Sequence, residues 1–75
     1  MHKQNLSKNE ASQIAVKYLC EEYDNINPVL CGYQVPLTLK IEVAKRISIK
    51  QIINECQCNA CIEIAYQIHE LNLFI

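Results

Sequence analysis

Apolar residues in the first third of the chain return every three or four positions. In LSKNEASQIAVKYLCEEY, residues 6–23, Ala11, Ile14, Ala15, Tyr18 and Leu19 fall on one stripe that Tyr23 continues, while Ser12, Gln13, Lys17 and Glu21 take the opposite side. That spacing draws one face of a 3.6-residue period. Ser7 followed by Glu10 has the form of a capping box, in which the hydroxyl takes the third amide and the carboxylate reaches back. A helix is predicted over residues 8–23. DNINPV, residues 24–29, then reads as its end, because Asp24, Asn25 and Asn27 favour turns and Pro28 has no amide hydrogen. Gly32, the only glycine, is expected to supply a positive φ in the connection.

The middle of the chain has two periods at once. Val35, Leu37, Leu39, Ile41 and Val43 alternate as a strand would, yet Leu37, Ile41, Ala44 and Ile47 also make a helical row. The reading adopted is an extended entry through Pro36–Leu39, then a short helix to Arg46, with a short extended segment or hairpin around residues 29–40. Ser48 is placed as the N-cap of the next element. Ile49, Ile52, Ile53, Cys56, Ala60, Ile64, Ile68 and Leu71 share a face. They form either one long helix or two with a joint at QCN, where Asn59 caps the second. The expected fold is a small, mostly α single domain over residues 1–75, a bundle of three to four helices with residues 1–6 frayed.

Composition narrows the class. The chain has 75 residues, and a domain of that size buries only about 60% of its unfolded surface, which leaves little stability in hand. Apolar residues make up 51% of it, so either the core is rich or apolar surface meets a partner. The net charge of -1 exerts no general pull on nucleic acid or membrane. No apolar run reaches membrane-spanning length, no signal peptide is legible, and the cysteine count of five is odd, so a cytoplasmic protein without membrane contact is expected. LNLFI, residues 71–75, is apolar throughout and is expected to pack on the core or on a partner. Leu71, Leu73, Phe74 and Ile75 are therefore taken as an interaction surface.

The loudest chemical feature is Cys56-x-Cys58-x2-Cys61. Thiolates hold zinc or iron–sulfur clusters when four ligands converge, and His69 is the available fourth. On a continuous helix residues 56 and 58 point about 200° apart, so they meet only if the helix unwinds there. The cysteines are accordingly read as core side chains, with no cofactor and no metal assigned, and Cys56, Cys58, Cys61 and His69 are the set that a metal would use. Cys61 and His69 stand about 12 Å apart along a helix axis, too far for a catalytic Cys–His pair. One glycine cannot build a phosphate loop. No enzyme activity is expected.

Lys40, Lys45, Arg46 and Lys50 are four of the seven cations, with Glu42 the one acid among them. Such a patch can hold a phosphate backbone, and a helix starting at Ser48 would add amide donors. Lys40, Lys45, Arg46, Lys50 and Ser48 thus form the candidate nucleic-acid-binding set. A helix–turn–helix reader built on residues 49–68 is a variant that lacks the turn glycine and any arginine in its second helix.

The order of these segments resembles the ProQ/FinO family of bacterial RNA chaperones. A first helix ends in an aromatic (YLCEEY). Pro-Leu with alternating aliphatics follows (PLTLKI), then a short basic helix and Ser with paired aliphatics (SIKQIINEC). The likeness spans roughly residues 12–60, with Pro36, Leu37, Ile41 and Ser48 in register. Thr38 and Lys40 stand where the family has lysine and glycine, and Ile53 where it has a basic residue. The resemblance implies a small RNA-binding regulator. The residues by themselves also support a protein-interaction module, an adaptor or inhibitor that self-associates. RNA and a protein partner or second copy are the two expected partners.

Overall fold

A computed structural model describes residues 6–30, 32 and 34–71. Three helices follow in order: α1 over Lys8–Leu30, α2 over Leu37–Glu55 and α3 over Asn59–Glu70. Each packs on the other two. The described residues contain no strand, so the mostly α expectation holds at three helices, and the described residues between 29 and 40 show no hairpin.

α1 begins as its sequence dictates. The Glu10 amide donates to Ser7 Oγ at 3.1 Å and the Ser7 amide donates to Glu10 Oε1 at 3.4 Å, closing the capping box. Ala11, Ala15 and Leu19, four residues apart, are fully buried. Ile14 and Tyr18 pack beside this row. Leu6, expected to be frayed, also packs on the core.

The end of α1 corrects the prediction. The helix runs past Asp24 and through Pro28 to Leu30. Pro28 sits in the last turn, so its missing amide removes a single bond, to the carbonyl of residue 24, and little helix remains to be disrupted. The turn is tied down instead by Lys40 Nζ, which donates to Asn27 Oδ1 at 2.9 Å. Gly32 does not take a positive φ; Gln34 does, at 53°. A Cβ on Gly32 would meet nothing within 4 Å.

α2 corrects it again. The segment expected as extended chain, a short helix and a new start at Ser48 is one helix of 19 residues. Pro36 opens it, and its carbonyl accepts from the Leu39 and Lys40 amides at 3.1 and 3.2 Å. Ile41, Ala44, Lys45, Ser48 and Ile52 are its buried residues, a helical row that overrides the period-two alternation. Of the alternating set only Ile41 is buried; Leu37 and Leu39 are exposed. A lone strand would leave its backbone unpaired, whereas the helix satisfies its own. Ser48 is not a cap. It is fully buried, and its hydroxyl donates to the Tyr18 carbonyl of α1 at 3.3 Å.

The joint at residues 56–58 falls where the sequence offered it, making two helices. Cys58 is the N-cap of α3, and Asn59 is the first residue of that helix rather than its cap. Ala60, Cys61, Ile64, Ala65 and Ile68 form the buried face. Small side chains (Ala11, Ala15, Ala44, Ala60 and Ala65) are buried where the three helices pack. Polar ties join every pair: Ser48 to α1, Ser12 Oγ to Gln67 Oε1 of α3 at 2.9 Å, and Lys45 Nζ to the His69 carbonyl at 3.3 Å. Among the described residues no helix is long and apolar enough to cross a membrane.

Candidate functional sites

The expected basic patch is divided by the fold. Lys45 lies on the buried face of α2, 8% exposed, with its ammonium on the C-terminal turn of α3. There it meets the negative end of the helix dipole. Lys40 is half-buried and bonded to Asn27. Ser48 is in mid-helix, so the amides that follow it belong to the helix ladder and offer no phosphate seat. Arg46 and Lys50, one turn apart, remain exposed. Of the five residues proposed for nucleic acid, the fold thus leaves two on the open surface.

Around those two, α2 presents a face that the sequence did not single out. Leu39, Val43 and Ile47 step by four along its outer side; Leu39 is 51% and Ile47 40% exposed, with Val43 half-buried between them. A shallow groove of about 460 Å³ continues the row, lined by Ile47, Lys50, Gln51, Asn54 and Glu55. Its lining is mostly carbon, with the stems of the long polar side chains beside Ile47. The signal was the four-residue step, hidden while residues 35–43 also read as a strand.

Of the apolar tail proposed as an interaction surface, Leu71 ends α3 and packs against the core. Leu73, Phe74 and Ile75 lie outside the described residues.

The cysteines at the α2–α3 junction form the second site. Cys56 ends α2 in an extended conformation (φ -165°, ψ 141°) and Cys58 is extended as well (φ -70°, ψ 166°). The helix therefore unwinds at the one place where unwinding lets these side chains meet. The Sγ atoms of Cys56, Cys58 and Cys61 lie within 4.8 Å of one another. Cys61 is fully buried, while Cys56 and Cys58 are half-buried and pack on the same core. Cys61 is a core side chain, Cys56 and Cys58 flank the core, and the three together are a thiol cluster. All three are free thiols, as is Cys20. His69 is not with them: it is at the far end of α3, about 12 Å along the axis from Cys61.

Cys58 and Cys61 differ electrostatically. The amide of Cys58 donates to Cys56 Sγ at 3.4 Å. No side-chain hydrogen bond closes the cap of α3, yet the Cys61 amide foremost, with the Cys56 and Cys61 thiols and the Ala60 amide, favours the Cys58 thiolate over the opposing effect of burial. Its pKa falls below the ordinary 9.0. Cys61 goes the other way, pushed up to about 12 by burial first and then by its two sulfur neighbours. Tyr18, nearby on α1, is also raised, by burial and then by Glu55, Cys61 and Glu21. The site thus holds one half-buried thiol whose thiolate is favoured by nearby donors and one interior thiol whose thiolate is disfavoured by burial.

The chain matches no protein-family model, no curated protein and no solved structure.

Proposed function

We propose that this protein is a protein-interaction module whose contact face is the outer side of α2 and whose partner is a second copy of the chain. The observation that carries the reading is the exposed row of Leu39, Val43 and Ile47, set on a face whose charges are mixed in sign. An antiparallel pairing of α2 about Val43 sets Leu39 opposite Ile47 of the second copy, twice by symmetry. Glu42 and Arg46 lie on the same flank of that row, one turn apart, so each faces its opposite charge across the axis. One helix face is smaller than the roughly 1,200–2,000 Å² of stable complexes, so the pairing is weak and depends on concentration.

Light scattering over a concentration series tests it. The wild type shifts from monomer to dimer, and Ile47→Asp and Arg46→Glu remain monomers with native circular dichroism. The double exchange Glu42→Arg plus Arg46→Glu restores the charge pairing and with it the dimer. A wild type that stays monomeric at every concentration removes the reading, as does a double exchange that behaves like Arg46→Glu alone.

A second reading, RNA binding, is favoured by the exposure of Arg46 and Lys50 one turn apart and by the resemblance to ProQ/FinO proteins. With the two exposed cations Arg46 and Lys50 it involves about two phosphates, giving a log–log salt slope near -1.4 on single-stranded RNA. Titrating a structured RNA with a single-stranded tail at two salt concentrations tests it. An affinity unchanged by Arg46→Ala plus Lys50→Ala removes it.

A further inference from the structure

We propose that Cys56, Cys58 and Cys61 form a three-thiolate site for zinc at the α2–α3 junction, with the fourth coordination position open to an external ligand. The site is independent of the α2 face: its residues come from the end of α2, the connection and the first turn of α3.

Geometry is the first argument. A tetrahedral zinc ion with sulfurs at about 2.3 Å needs them about 3.8 Å apart. Here the three Sγ atoms are already within 4.8 Å of one another. The remaining closure is about 1 Å at most, which side-chain rotation at Cys56 and Cys58 can supply because both are only half-buried. Cys61, held in the core, is the fixed leg of the tripod.

The path of the chain is the second argument. α2 and α3 are interrupted at residues 56–58 with neither glycine nor proline at the break. A continuous helix through these residues would place Cys56 and Cys58 about 200° apart. The interruption is what gathers the sulfurs. The Cys58 amide, donating to Cys56 Sγ, gives one sulfur the backbone hydrogen bond that commonly accompanies and tunes a ligating thiolate.

Charge selects the ion. Three thiolates carry -3. A divalent ion leaves -1 and a monovalent ion such as Cu⁺ leaves -2, with Glu55 and Glu63 nearby in sequence and no lysine or arginine between residues 51 and 71. The amino end of α3 offsets roughly half a charge. Divalent zinc is therefore favoured among thiophilic ions. Binding moves no electrons: each thiol gives up its proton, so three protons, less any already lost, leave as three Zn–S bonds form. Solvent reaches the ion from the side of Cys56 and Cys58, which is where the fourth ligand enters. His69 is too distant to be that ligand.

The test uses the full chain, reduced and freed of metal. Zinc is titrated by competition with a chromophoric chelator and cobalt by its thiolate charge-transfer and ligand-field absorption, with thiol alkylation read by mass spectrometry. The expected result is one ion per chain, three thiols protected from alkylation, and a higher melting temperature with metal. Cys56→Ser and Cys58→Ser, at half-buried positions that tolerate the change, lose more than the roughly 10–100-fold that changes outside a ligand set cost. Cys20→Ser and His69→Ala bind as the wild type does. Overturning results are no zinc uptake under anaerobic reducing conditions, binding unaffected by Cys56→Ser or Cys58→Ser, protection of fewer than three thiols, or occupancy by added Cu⁺ with zinc excluded.

Discussion

Replacing Lys45 separates the two roles that its charge suggests. In the fold its ammonium donates to the His69 carbonyl at 3.3 Å and its stem lies in the α2 interface, leaving 8% of the residue exposed. Lys45→Met keeps most of the stem and removes the ammonium. The lost hydrogen bond is worth about 0.5–1.5 kcal/mol. The lost charge at the carboxyl end of α3 adds about 0.3–1 kcal/mol. Methionine should therefore cost about 1–2 kcal/mol. Lys45→Ala also strips three methylenes from the interface at about 0.8 kcal/mol each, bringing the total to about 3–5 kcal/mol. A chain of 75 residues has only about 4–11 kcal/mol of stability, so alanine removes a large part of it. Urea unfolding followed by far-ultraviolet circular dichroism measures both variants, with an unchanged m-value confirming that the same surface is exposed. If Lys45→Ala unfolds at the wild-type midpoint, the ammonium and stem do not dock α2 on α3 and the reasoning fails. If methionine costs as much as alanine, the share assigned to the stem is wrong. A loss of RNA affinity in Lys45→Ala would report lost fold, which is why the RNA titration uses Arg46 and Lys50.

Other outcomes follow from single contacts. Ser7→Ala removes the capping hydroxyl of α1 and should cost about 1 kcal/mol, read as a lower thermal midpoint with fraying of the first turn. Leu19→Ala empties a fully buried site and should cost about 2–5 kcal/mol; a midpoint within a degree or two of wild type would contradict its place in the core. Gln34→Gly relieves a left-handed backbone at φ 53° and should be neutral or stabilising by up to about 1 kcal/mol, whereas any β-branched residue there should destabilise. For the metal-free chain, Cys61 titrates near 9.0 when unfolded and near 12 when folded, so the unfolded state loses its proton first and stability falls as pH rises from about 9 toward 12. Raised Tyr18 acts in the same sense above 10.0, while lowered Cys58 adds stability as pH rises toward 9.0. The slope from Cys61 is at most about 1.4 kcal/mol per pH unit, and the check is a shallower alkaline limb in Cys61→Ala, with the loss between about pH 9 and 10 gone and the Tyr18 contribution above 10.0 remaining.

The amino-acid sequence by itself determined the local features whose partners are close in the chain. The capping box of Ser7 and Glu10 is a contact within one turn, and the Ala11–Ala15–Leu19 stripe and the row of Ala60, Ile64 and Ile68 are helical periods legible within a few turns, whichever helices later cover them. It left α1 too short and α2 broken, because Pro28 and Ser48 carry strong local preferences that distant contacts override. Asn27 is held by Lys40 and Ser48 by the Tyr18 carbonyl, neither of which is a neighbour along the chain. The same long-range packing sorted the cations. Lys45 and Arg46 are adjacent in sequence, yet a 100° step turns one to the core and the other to solvent. The cysteine cluster shows the division most sharply. The spacing made convergence depend on an unwound turn, and nothing local demanded one. Only the docking of α3 against α1 and α2, which buries Cys61 and Ile64, decides where the helix stops and therefore that three sulfurs meet.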